Sequence, residues 1–191
     1  NIWIYPWTVS TTTSGIVTAT VTGTDTSGNT YTGTDSITFT IDNTAPTVTM
    51  TDTDANNIVT GSNVVTITAT FSEAMASAPT INITGEVSNV AMTASTTADV
   101  WTYPWTVSTT TSGIVSATVA GTDVSGKAYA GTTSITFTID NTAPTITLVE
   151  NDADNVLTVG ETVLLTAGVD ETISGTPTLT IITSGGSNDF G

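Results

Sequence analysis

The 191-residue chain has no cysteine, no histidine and no arginine, and its one basic side chain is Lys127. Each absence removes a class of chemistry. Without cysteine there is no disulfide framework, no thiolate metal site and no thiol redox couple. Without histidine or cysteine a Ser-His or Cys-His nucleophile cannot be assembled. Paired carboxylates for glycoside hydrolysis need a cleft and a raised acid pKa, and the acids here lie instead in turns that recur along the chain. No enzyme activity is therefore expected. A surface almost without cations cannot neutralise phosphates, which argues against nucleic acid and against an anionic membrane as partners. No apolar run reaches the length of a membrane span, so no membrane insertion is expected in this segment, and any export signal is expected outside it.

What is present is threonine and acid. Seventeen Asp and Glu give a net charge of −16, yet charged residues make up only 9% of the chain, too sparse for a disordered acidic tail. Polarity comes from 50 threonines. Threonine is β-branched and suits strands, and its hydroxyl keeps an outward strand face wet without charge. The apolar 38% is enough for sandwich cores. A field of this sign attracts divalent cations.

The chain repeats itself. Trp3 to Met50 aligns without a gap on Trp101 to Leu148, a shift of 98, with 38 identities in 48 pairs. Tyr5–Val17 recurs unchanged at Tyr103–Val115, and Ser36–Thr47 at Ser134–Thr145. Further on the match weakens but holds its pattern. Asp52 and Asp54 face Glu150 and Asp152, and Phe71-Ser72-Glu73 faces Val169-Asp170-Glu171. A period near one hundred is that of whole domains in tandem.

Within the period, Val65, Ile67, Ala69 and Phe71 alternate with Thr66, Thr68 and Thr70, the mark of a half-buried strand. The same logic predicts strands at Thr47–Met50, Thr80–Ile83, Val90–Ser95, Val100–Val107, Gly113–Gly121 and Ser134–Ile139. No helical periodicity of useful length occurs. The fold class expected is all-β: seven-stranded immunoglobulin-like β-sandwich repeats in tandem. Asp-Asn-Thr-Ala-Pro at 42–46 and 140–144 marks the boundaries, since proline suits the first residues of a strand. This divides the chain into the C-terminal half of one repeat (1–42), a complete repeat (43–140) and the N-terminal half of a third (141–191). A half sandwich cannot bury its inner face, so either the polypeptide continues both ways or neighbouring chains complete the halves.

Three signatures in order carry a family resemblance. Phe71-Ser72-Glu73-Ala74-Met75 resembles the "FSE" signature of bacterial Ig-like repeats, Asp25-Thr26-Ser27-Gly28-Asn29 and Asp123-Val124-Ser125-Gly126-Lys127 its "D-x-x-G-N" turn, and Asp42-Asn43-Thr44-Ala45-Pro46 its linker. The resemblance implies a structural stalk of a large secreted or cell-surface bacterial adhesin stiffened by calcium. Partners would be neighbouring repeats of the same chain. A self-assembling surface layer or extracellular filament, with like chains as partners, is the alternative. A carbohydrate-binding module is a further one.

Ca²⁺ takes six to eight oxygens from carboxylates, carbonyls and amides. In an Ig topology the linker and two of the loops meet at one end of a domain. Asp42, Asn43, Glu73 and Asp123 are thus expected to converge at the first junction, and Asp140, Asn141, Asp170 and Glu171 at the second, joined there by Asp52 and Asp54. The competing reading makes all of these solvated turn formers. Lys127 stands where the turn asparagine belongs, which puts ligation at that turn in question. Asp52-Thr53-Asp54-Ala55-Asn56 lacks the central glycine and terminal glutamate of an EF-hand. Trp101, Tyr103 and Trp105 share one strand face, as do Trp3, Tyr5 and Trp7. They are expected to be core rather than a sugar-stacking platform, with Trp3 and Trp101 in equivalent buried sites. Pro104, on the other face, predicts an edge or strand-switching position.

Overall fold

The computed structural model describes residues 1–182, and among them every regular element is a strand. The chain forms two compact units, Asn1–Asn141 and Thr142–Gly191. In the first unit β1 (Gly15–Thr20) and β2 (Ser36–Ile41) form a two-stranded ladder. There follow β3 (Val48–Asp52), β4 (Ile58–Val59), β5 (Val64–Phe71), β6 (Thr80–Ile83), β7 (Val87–Ala91), β8 (Thr93–Ala94), β9 (Val100–Thr106), β10 (Gly113–Ala120) and β11 (Ser134–Ile139). These nine build two sheets, ordered β3-β5-β9-β8 and β4-β11-β10-β6-β7. With β3 as strand A the first is A-B-E-D and the second contains G-F-C, the arrangement of an immunoglobulin-like sandwich.

Period-two alternation explains the layering. On β5, Val65, Ile67, Ala69 and Phe71 are buried while the threonines between them face outward. They meet Ile81, Ile83, Val115, Ala117, Phe137 and Ile139 of the facing sheet in one core. Trp105 (1% exposed) fills its centre, its ring centroid 5.3 Å from that of Phe137. Trp105 and Phe137 are the largest apolar side chains that β9 and β11 bury completely.

Two short elements escape sequence reading. The expected strand Val90–Ser95 is divided: β7 pairs with β6 in one sheet, β8 with β9 in the other. The chain crosses between sheets at Met92, whose side chain is buried and whose N–H donates to the Pro79 carbonyl at 2.8 Å. β4 runs parallel to β11 over two residues, too few to show a period. The edge expected at Pro104 is present. β8 reaches only Trp101 and Thr102, so Pro104 pairs with β5 on one side and is open on the other.

The period recurs in the backbone. The six pairs of β1 with β2, Gly15↔Ile41 to Thr20↔Ser36, are those of β10 with β11 shifted by 98. In the second unit β12 (Ile146–Glu150) pairs with β13 (Leu165–Val169) in the register of β3 with β5, again shifted by 98. Residues 183–191 of the expected third segment lie outside the described residues.

One expectation needs correction. Trp101 and Tyr103 are half-buried against the core, but Trp3, the counterpart of Trp101, is 92% exposed. Trp101 lies on β9 between β5 and β8, whereas residues 1–10 have no ladder partner among the described residues. What survives there is the aromatic contact. Trp7 packs on Phe39 at 5.6 Å, as Trp105 does on Phe137.

Candidate metal centre

Three loops meet at one end of the 43–140 sandwich. The linker after β2 carries Asp42, the β5–β6 connection carries Glu73, and the β10–β11 connection carries Asp123. Backbone bonds bring these loops together. Ala76 donates to the Thr122 carbonyl at 2.9 Å and Val124 to that of Ala74 at 3.0 Å, which fixes Glu73 beside Asp123. The serine of the Phe-Ser-Glu run draws in the linker: Ser72 Oγ accepts from Thr47 N at 2.9 Å, and Ser72 N donates to the Thr47 carbonyl at 3.0 Å. Asp42 caps its own turn by accepting from Thr44 N at 2.9 Å.

As a result one carboxylate oxygen from each of Asp42, Glu73 and Asp123 lies within 4.8 Å of the others, the one such acidic trio among the described residues. Asp123 is fully buried. Its Oδ1 accepts from Ser125 N, Ser125 Oγ and Lys127 N at 2.8, 2.7 and 2.8 Å, and Gly126, at φ +90°, allows the loop to close around it. Its Oδ2 is buried and has no partner, while Oδ1 is taken by the turn.

The electrostatics follow from this crowding. Burial, then the charges of Asp42 and Asp123, then a hydrogen bond with the Asp42 carboxyl, hold Glu73 above the usual glutamate range. For Asp123, burial pushes upward, but the donors from Lys127, Ser125 and Gly126 outweigh it and hold the group low. Three acids, one forced toward its neutral form and one with an unbonded buried oxygen, are a donor set for a hard cation. The unpartnered Asp123 Oδ2 is the specific mark of fit, because an orphaned buried carboxylate oxygen is costly unless a ligand meets it.

The other sequence candidates are engaged elsewhere. Asn43 donates through Nδ2 to the Ser10 and Thr13 carbonyls and through N to Ser14 Oγ. Asn141 repeats this on Ser108 and Thr111, and its Oδ1 accepts from Gly61 N. Both asparagines clamp the linker to the preceding turn. Asp52 Oδ1 accepts from Asp54 N, and Asp54 Oδ1 from Asn56 and Asn57 N, which shapes the bend into β4. Asp140 N donates to the Val59 carbonyl. In the second unit Asp170 takes the place of Ser72, accepting from Thr145 N at 2.7 Å and Thr145 Oγ1 at 2.5 Å, and these bonds hold its pKa low. Glu171 follows it, as Glu73 follows Ser72.

Sequence reasoning passed over Glu86. Its Oε2 accepts from Trp105 Nε1 at 3.3 Å and Ser108 N at 3.0 Å, pinning the central indole. A lone acid in a Thr-Gly-Glu turn carries no signal of that role.

Fold and site together define a protein of tandem immunoglobulin-like sandwiches with an acidic centre where a linker enters a domain. The chain belongs to the bacterial Ig-like domain (group 3) family, whose model matches it twice, over residues 1–98 and 99–189. Neither a curated protein nor a solved structure matches it. Domains of this family are a non-enzymatic, structural type, typical of extracellular and surface proteins of bacteria. Among the described residues no helix is long and apolar enough to cross a membrane.

Proposed function

We propose that this chain is a spacer segment of an extracellular bacterial surface protein, an adhesin stalk, in which Ca²⁺ at Asp42, Glu73 and Asp123 fastens the linker after β2 to the sandwich that follows. The folding unit in this reading is 43–140. The observation that carries it is the mixed origin of the trio: Asp42 belongs to the linker, Glu73 and Asp123 to the domain. Without a cation the three charges repel and the linker is free to pivot. With one, oxygens from both sides share a centre. The cation supplies charge neutralisation, and the chain's residues supply the fixed loops. Extracellular calcium modules bind at about 10⁻⁴ to 10⁻³ M. At free calcium one hundred times the Kd, binding to the folded state alone adds about 2.7 kcal/mol of stability.

Calorimetric titration of the chain with calcium tests this, beside Asp42→Asn and Glu73→Gln. Saturable heat in the parent that is weakened at least tenfold in both variants is expected. Absence of heat in the parent, or variants that bind like it, contradicts the reading. The inward packing of Trp101, Tyr103 and Trp105 in the 43–140 sandwich supports a core role for the aromatic stripe over sugar stacking.

A further inference from the structure

The two D-x-x-G turns of this chain share one backbone and differ in the side-chain bonds made to their aspartates. In the first, Asp25 Oδ1 accepts from Ser27 N at 2.9 Å and Asn29 N at 2.8 Å, and Gly28 N donates to the Asp25 carbonyl at 3.1 Å. In the second, Asp123 Oδ1 accepts from Ser125 N and Lys127 N, both at 2.8 Å, with a further bond from Ser125 Oγ at 2.7 Å, and Gly126 N donates to the Asp123 carbonyl at 3.1 Å. The difference that bears on a metal lies at the other oxygen. Asn29 Nδ2 donates to Asp25 Oδ2 at 2.9 Å. Lys127 gives the Asp123 carboxylate only its backbone N–H, and Oδ2 of this member of the trio is left buried and unpartnered.

We propose that residue 127 sets the cation affinity of the trio: lysine leaves Asp123 Oδ2 free for a metal, and asparagine ties it to an internal donor. The proposal rests on the metal reading above and extends it to a residue that touches no metal. An amide bonded to Oδ2 takes up one of its lone pairs and part of its charge, so an arriving cation must compete with that donor or share the oxygen with it. Asn29 shows that the amide reaches from this turn position, and its side-chain bond is the foremost cause of the lowered pKa of Asp25. The substitution that looks like damage to a calcium turn therefore acts the other way. It exchanges a built-in donor for an open oxygen. Lysine also brings a positive charge, which opposes a cation, so the two effects have to be separated experimentally.

Lys127→Ala removes the charge and adds no donor. Lys127→Asn removes the same charge and restores the donor. Position 127 is half-buried in the β10–β11 connection and is not part of the core cluster, so neither change removes a core side chain. Two measurements on the full chain decide the matter. In chelator, Lys127→Asn is expected to melt several degrees above Lys127→Ala, because the buried oxygen gains a partner. In calcium titrations, Lys127→Asn is expected to bind about three- to tenfold more weakly than Lys127→Ala, the worth of one hydrogen bond. Equal calcium affinity in the two variants overturns the role of residue 127 while leaving the metal reading standing. Equal melting in chelator shows that asparagine makes no bond to Oδ2, and also overturns it. A parent chain without any calcium response removes the metal reading and the proposal with it, and the chelator arm still reports whether the donor forms.

Discussion

Single side chains separate what holds the sandwich together from what equips its end. The Trp105–Phe137 pair sits at the centre of the core, with the indole held by Glu86. Truncating Phe137 to Ala is expected to cost about 3–5 kcal/mol in chemical denaturation, and a loss under 1 kcal/mol would show that the pair is not central. Gly61 is constrained by proximity: a Cβ there would lie 2.6 Å from Thr109 Cα and 2.9 Å from Asn141 Oδ1. Gly61→Ala is therefore expected to melt below the parent, with the linker clamp of Asn141 opened first; an unchanged melting point would contradict that packing. Glu73 gives a pH signature. Because its pKa is raised on folding, its contribution is present below the ordinary glutamate range and is lost as pH rises through the folded value. Asp25, Asp123 and Asp170 act with opposite sign, contributing above the ordinary aspartate range and losing that contribution as pH falls. In chelator, Glu73→Gln should gain stability relative to the parent as pH rises above the ordinary glutamate range, and a difference between the two that ignores pH would contradict the repulsion among the three acids.

At the scale of strands, what was legible is what repeats with period two. Val65, Ile67, Ala69 and Phe71 announce β5 because threonine occupies every position between them. The crossing at Met92 was not legible, because a strand that changes sheets keeps its apolar alternation while its ladder partners change. β4 was hidden by length. The meeting of Asp42, Glu73 and Asp123 could be anticipated because topology alone puts the linker and two loops at one end. The clamp roles of Asn43 and Asn141 and the orphaned Oδ2 of Asp123 could not, since they depend on which way a side chain turns. β9 offers an element-scale test. Pro104 lies on its open side, so Pro104→Thr should change stability by no more than about 0.5 kcal/mol. Thr102 is paired with Thr68 on one side and Thr93 on the other, so Thr102→Pro should be strongly destabilising. Equal effects of the two would contradict the edge assignment.

Across the whole molecule the 98-residue period places the same ladders at β1–β2 and β10–β11, and at β3–β5 and β12–β13. The asparagine clamp behind the linker recurs with this period, at Asn43 and at Asn141. The asparagine side needs no metal, while in the proposed reading the carboxylate side waits on calcium. In that reading calcium immobilises residues 42–47 against the domain that follows them. Amide hydrogen exchange of the intact chain, followed at Thr44 and Thr47 with calcium and with chelator, tests it most directly. Thr44 N bonds to Asp42 Oδ1 and Thr47 N to Ser72 Oγ, so both amides report the linker's hold on the domain. Slower exchange at both in calcium, abolished by Glu73→Gln, is the predicted result, and exchange at these two amides that is the same in calcium and in chelator would contradict it.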